Sequence, residues 1–188
     1  MVDANELQEA IKQMANTTGA QMGDALSSII ESITTNDTLP KDAIGLNDNV
    51  IEAIYAQAYH NYNAGKYSHA AHLFHMLHLL DATEPKYQLG LAACYQMLGE
   101  YENALLVYGF CQIIDPENPV PHYHASDCYL KQDLIPACIA ELQMTVDRCG
   151  NEEQYRLLKE RAILTIQHLK EHGKPPSDDQ LPSIELAE

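Results

Sequence analysis

Four histidines recur at every third position in HAAHLFHMLH: His69, His72, His75 and His78. Imidazoles at such spacing could share a metal ion if they lay on one face of a helix. Each step of three residues falls about 60° short of a full turn, so the four wind around the helix and cannot all converge. They are expected to form a solvated, partly interfacial face. His122 and His124, on opposite sides of a later helix, are read in the same way. The five cysteines, Cys94, Cys111, Cys128, Cys138 and Cys149, include no CxxC pair. They could be a thiol site or metal ligands, but small buried hydrophobes in a reducing compartment fit them better. No nucleophile–base set, phosphate-cradling loop or pair of carboxylates in a definable pocket is recognisable. The sequence therefore predicts no enzyme, no cofactor and no metal site.

A different chemistry is concentrated in YAQAYHNYNAGKY, residues 55–67. The chain has no tryptophan and only two phenylalanines, yet four tyrosines fall in this stretch. Tyr55, Tyr59 and Tyr62 follow i, i+4, i+7 spacing and so share one helical face. A tyrosine offers flat apolar area and a hydroxyl with little rotamer entropy to lose, which suits recognition of a peptide. The competing expectation is that these rings pack against the N-terminal helices or a neighbouring subunit.

The elements that must position these rings emerge from an internal repeat. AGKYSHAAHLFHMLHLLDA (64–82) aligns with LGEYENALLVYGFCQIIDP (98–116) at an offset of 34 residues. That offset pairs Gly65 with Gly99, Tyr67 with Tyr101, Ala70 with Ala104, Phe74 with Tyr108, and Asp81 with Asp115. Gly-x-Tyr at a turn, Ala-x3-aromatic on the second helix and a closing proline are the tetratricopeptide pattern of paired helices A and B. A third, weaker copy at 119–152 has Asp133 for the turn glycine, Ile135 for the tyrosine and Cys138 for the alanine. Pro136 falls in the first turn of its helix B, where a missing N–H is harmless. In this pattern Tyr55, Tyr59 and Tyr62 face a groove lined by the A helices, whereas Tyr67 packs at the turn. Lys86, Leu89, Ala93, Gln96 and Met97 are the matching groove positions of the second repeat; Val120, Tyr123, Asp127, Leu130 and Lys131 are those of the third.

The predicted organisation is all-α. Residues 1–49 form a helical flank, 50–152 three repeats, 153–172 a capping helix and 173–188 a polar, proline-rich tail expected to be disordered. The flank carries one apolar stripe of Leu7, Ile11 and Met14 and another of Met22, Leu26, Ile29, Ile30 and Ile33. Asn49 with Glu52 resembles a helix-start box. Tyr155, Leu158, Ala162, Ile166 and Leu169 make the apolar stripe of the cap. The formal charge of −16 argues against nucleic acid and anionic membrane surfaces as partners. No apolar run approaches the roughly 20 residues of a membrane span, and the N-terminus lacks the basic and apolar regions of a signal peptide.

The segments AYHNYNAGKYSHAAHLFHMLHLLD (58–81), YQLGLAACYQMLGEYENALLVYGFCQIID (87–115) and HASDCYLKQDLIPA (124–137) resemble the class II chaperones of bacterial type III secretion, the LcrH/SycD, IpgC and SicA group. The resemblance covers about residues 48–170 and leaves out the first 47 residues and the tail. It implies a protein of the bacterial cytoplasm whose concave groove binds an extended segment of secreted, hydrophobic, pore-forming translocators. Such a chaperone keeps its clients soluble and competent for secretion. Carried over by position, it implies Tyr55, Tyr59 and Tyr62 as groove contacts, with Leu80, Leu89 and Tyr95 as neighbours. It also implies a homodimer through the N-terminal flank, which suits the stripe at 22–33. Tyr55 and Tyr59 stand where carboxylate-clamping tetratricopeptide adaptors carry Lys and Asn, so a carboxylate clamp is not expected. Two alternatives stay open: a scaffold assembling secretion or pilus components without chaperoning, and a metal-responsive regulator using the histidine run.

Overall fold

The computed structural model describes Glu31, residues 39–177 and residues 180–182. The stripe of Met22, Leu26, Ile29, Ile30 and Ile33, like that of Leu7, Ile11 and Met14, lies outside the described residues. All regular structure among the described residues is helical. A short helix α1 (Pro40–Ala43) precedes three helix pairs: α2 (Asp48–Asn63) with α3 (Tyr67–Leu80), α4 (Pro85–Met97) with α5 (Tyr101–Ile114), and α6 (Pro119–Lys131) with α7 (Ile135–Cys149). A 3-10 turn (Glu153–Tyr155) then leads into α8 (Arg156–His172).

The chain divides into two compact units. One comprises residues through Ala53 together with Leu79–Asp81; the other comprises Ile54–His78 and everything from Ala82 onward. In the first unit, Lys41 Nζ lies 2.6 Å from the buried Asp81 carboxylate. The hydrogen bond to Asp81 is the main reason the Lys41 ammonium is held above its ordinary pKa.

In the second unit, the 34-residue register becomes a register of burial. Ala58, Ala92 and Ser126 occupy equivalent positions on α2, α4 and α6 and expose 0%, 0% and 1% of their surface. Ala70, Ala104 and Cys138 do the same on α3, α5 and α7. Small side chains at these points let neighbouring helices approach closely, and large ones one turn later fill the space between them. Those large residues are Phe74, Tyr108 and Leu142, all buried. Around Tyr108, Ala92, Ala104, Ala125 and Cys128 form one core. The last pair and the cap share another, in which Tyr123, Cys138, Leu142 and Cys149 meet Leu158, Ala162, Ile166 and Leu169 of α8. Tyr155 packs against its edge, so the stripe read as a cap covers the last repeat.

The third repeat departs from the pattern in sequence but not in backbone. Gly65, Gly99 and Asp133 all take left-handed conformations, with φ of 72°, 77° and 60°. The turn between A and B helices demands this geometry, which glycine adopts freely and aspartate only at some cost. Pro136 sits in the first turn of α7, as expected.

Two expectations are corrected. The cap of α2 is Asn47 rather than Asn49: Asn47 Oδ1 accepts a hydrogen bond from the Val50 N–H at 3.0 Å, and Asn49 lies inside the helix. The tail expected to be disordered is held in part. Arg161 Nη1 donates to the Pro182 carbonyl at 3.1 Å, and His168 Nδ1 donates to the Lys174 carbonyl at 3.1 Å.

The left-handed turn gives a stability prediction. Gly99→Ala should lower the unfolding free energy by about 1–2 kcal/mol. Asp133→Gly should raise it by about 0.5 kcal/mol, the strain relieved less the entropy that glycine adds to the unfolded chain. Urea unfolding midpoints at constant slope check both signs.

Candidate functional site

The tyrosine face opens onto a cavity of about 250 Å³. Tyr55, Tyr59 and Tyr62 of α2 form one wall; Lys86, Leu89, Gly90 and Ala93 of α4, with Val120 and His124 of α6, form the other. Phe74 reaches it from α3. The A helices thus supply residues at the repeat's own spacing, which is why five positions from three helices converge. Tyr55 meets Phe74 edge-on at 6.0 Å between ring centroids and Tyr87 at 5.9 Å. Lys86 Nζ stands 4.8 Å from the centre of the Tyr55 ring, within cation–π range. Tyr62 packs edge-on against Tyr67 at 5.4 Å. Tyr55 and Tyr62 therefore serve the packing as well as the cavity, although the sequence had assigned only Tyr67 to packing. Gly90 is required by Phe74: a Cβ there would stand 2.5 Å from the Phe74 ring.

His124 closes the floor. Its ring stacks on Tyr108 at 5.7 Å with an interplanar angle of 10°, and Tyr123 meets its edge at 5.8 Å. The side chain keeps partial contact with solvent in the cavity but is packed by protein on its other sides. Desolvation pushes its pKa down to about 4, so at neutral pH the imidazole is uncharged, with one donor and one acceptor nitrogen.

Further along, Gln96, Tyr123, Asp127, Leu130 and Lys131 line a second cavity of about 520 Å³ with Arg161 and Thr165 of α8. Its remaining wall is the chain's own tail, including Pro175, Pro176, Ser177 and Leu181. The Gln96 amide oxygen also accepts a hydrogen bond from the buried Tyr108 hydroxyl at 2.7 Å.

A tetratricopeptide repeat family model matches residues 51–83 and 85–118, which are the first two helix pairs. PcrH of Pseudomonas aeruginosa, seen in a crystal structure with the chaperone binding region of PopB, is 31% identical; the match covers 63% of this chain and 95% of that one, with a TM-score of 0.60. The chain belongs to the class II chaperone family of type III secretion. The translocator chaperone SycD of Yersinia enterocolitica, solved with a peptide of the translocator YopD, is 26% identical over 67% of this chain and 96% of its own, with a TM-score of 0.64. The low calcium response locus protein H of Yersinia pestis is 26% identical over 125 residues, 66% of this chain and 74% of that protein.

Within this class II chaperone, not every expected groove residue joins the tyrosines. Tyr95 lines a separate depression with His75, His78, Gln88, Leu106 and Phe110. It sits two residues beyond Ala93, about 200° around the helix, so it turns away from the groove. Leu80 belongs to the other compact unit. Met97 is exposed at the end of α4 and lines neither cavity. Phe74, Gly90 and His124 were not anticipated as lining residues. The repeat assigns the first to a core position, and only the packed helices reveal that its ring also reaches the groove.

The histidines separate into different roles. His69, His72 and His75 are exposed and His78 is half-buried, as winding around α3 requires. His122 and His124 correct the expectation of a solvated face. His122 is buried, with Nδ1 2.7 Å from Glu141 Oε2, and Gln112 Nε2 donates to the same oxygen at 3.2 Å. All five cysteines are buried and unpaired. Burial pushes the thiols of Cys94, Cys111, Cys128 and Cys138 up to about 12 and that of Cys149 to about 11, so none is a thiolate at neutral pH.

His124 predicts an acid sensitivity. Its folded pKa lies below its ordinary value of 6.5, so its contribution to stability is complete above about 6.5 and is lost as the pH falls toward 4. His124→Gln should flatten that part of the stability profile, measured by chemical unfolding between pH 7 and 4. A profile unchanged in the variant would contradict the assignment.

Proposed function

We propose that the protein is a type III secretion chaperone of the bacterial cytoplasm that binds hydrophobic translocators and keeps them soluble and secretion-competent. The observation that carries this is the aromatic cavity of Tyr55, Tyr59 and Tyr62, built at the register positions of a family whose members SycD and PcrH hold segments of YopD and PopB. Leu89, Ala93 and Val120 offer apolar area for anchor side chains. The tyrosine hydroxyls and the neutral His124 ring can pair with backbone groups that an extended peptide cannot satisfy by itself. Lys86 adds a cation above the Tyr55 ring. The formal charge of −16 helps to keep a complex with an aggregation-prone client in solution. The role is binding rather than catalysis. Gln96, Tyr123, Asp127 and Lys131 extend the proposed groove toward α8.

Co-expression with a translocator encoded in the same genome should yield a soluble complex that co-purifies. Tyr59→Ala with Tyr62→Ala should weaken it by about 1–3 kcal/mol per buried anchor, roughly 5- to 150-fold each, as read by calorimetry on the purified partners. A complex indifferent to both changes would favour a scaffold acting through other surfaces; no complex at all would sink the chaperone assignment.

The protein is further proposed to form a homodimer through the stripe of Met22, Leu26, Ile29, Ile30 and Ile33 in its N-terminal flank. Sedimentation equilibrium should give a dimer that Ile29→Asp with Ile33→Asp converts to monomer. A wild-type chain that sediments as a monomer at tens of micromolar contradicts this.

A further inference from the structure

The second cavity differs from the tyrosine cavity in one respect: its outer wall is the chain itself. Beyond α8 the chain reverses and runs back along that helix. Its course is fixed at one end by His168 Nδ1 on the Lys174 carbonyl and at the other by Arg161 Nη1 on the Pro182 carbonyl. The two helical anchors are seven residues apart, about 10 Å along the axis, whereas eight extended residues would span about 27 Å. The excess is taken up by a turn: the Gln180 N–H donates to the Ser177 carbonyl at 2.9 Å, and Gln180 Oε1 accepts from the Ser177 N–H at 3.0 Å and hydroxyl at 2.9 Å. Pro176, Leu181 and Pro182 are half-buried.

The composition of this segment suits the seat. Prolines 175, 176 and 182 carry no N–H to leave unsatisfied, and their fixed φ lowers the entropy lost on ordering. Pro176 and Leu181 are apolar anchors either side of the turn, and the facing helices present Tyr123 and Leu130. The facing helices carry Lys131 and Arg161, two of only 11 basic residues in a strongly acidic chain.

We infer that residues 174–177 and 180–182 of the tail are an intramolecular occupant of the C-terminal half of the groove, which a client segment reaching past the tyrosine cavity has to displace. The displacement rests on the proposed chaperone role; the seating of the tail does not. If the tail is seated for nine-tenths of the time or more, an unseated groove binds such a client at least about tenfold more tightly.

The test uses the full-length chain with Pro176→Asp and Leu181→Asp, changes confined to the tail. Without any client, amide resonances of Tyr123–Lys131 and Arg161–Thr165 should shift between wild type and variant. A synthetic peptide of residues 174–188, titrated into the variant, should move them back. Superimposable spectra, or a peptide that does not bind, would overturn the seating. With the translocator of the co-expression experiment, the variant should bind about tenfold more tightly than wild type, and equal affinities would overturn the displacement. If neither form binds a translocator while the spectra behave as expected, the chaperone role fails, the displacement falls with it and the seating stands.

Discussion

Two helices can lie close together only where the side chain between them is small, and this protein repeats that condition every 34 residues. Ala58, Ala92 and Ser126 on the A helices, and Ala70, Ala104 and Cys138 on the B helices, are buried almost completely. They set the distance at which each helix meets the next. Once that distance is set, Phe74, Tyr108 and Leu142 have one place to go, and the cores around Tyr108 and Leu142 follow. The groove is what remains: larger residues on the same A helices, one side around, line a cavity instead.

The chemistry of that groove contrasts with the surface of the protein. The chain is acidic, yet among the described residues no carboxylate lines the tyrosine cavity; the polar groups there are phenol hydroxyls, one ammonium and an uncharged imidazole. His124, stacked on Tyr108 with Tyr123 edge-on, is neutral because it is desolvated, so the ring adds hydrogen-bonding capacity without a charge that an apolar ligand would have to bury. Phe74 links this site to the core. Its ring fills the interior, reaches the cavity and leaves room only for glycine at position 90. Recognition and folding therefore share side chains here, and Tyr55, which packs on Phe74 and Tyr87, belongs to both.

Much of this was legible in the sequence because a repeat declares the same physical requirement several times. The helix pairs, the place of each turn, the harmless proline in α7, the capping stripe on α8 and the shared face of Tyr55, Tyr59 and Tyr62 all follow from spacing and residue type. Even Asp133, which breaks the glycine rule, was placed correctly by its register, since the turn geometry belongs to the fold rather than to one residue. Spacing along one helix fixes which way a side chain points, and Lys86, Leu89 and Ala93 line one cavity with the tyrosines. Tyr95, assigned to the groove by resemblance, is turned away from it by the same geometry.

Only the tertiary structure decided what each face meets. It divided the expected groove into a tyrosine cavity and a second cavity walled by the tail. It brought Phe74, Gly90 and His124 into the first, and it turned two histidines expected at a solvated face into a stacked ring and a buried partner of Glu141. A composition rich in proline and polar residues indicated a tail without a core of its own. It carried no information about a seat elsewhere on the chain. Local sequence encodes the direction and size of a side chain, whereas its neighbours from distant segments are set by packing. Burial, protonation state and occupancy of the groove all depend on those neighbours.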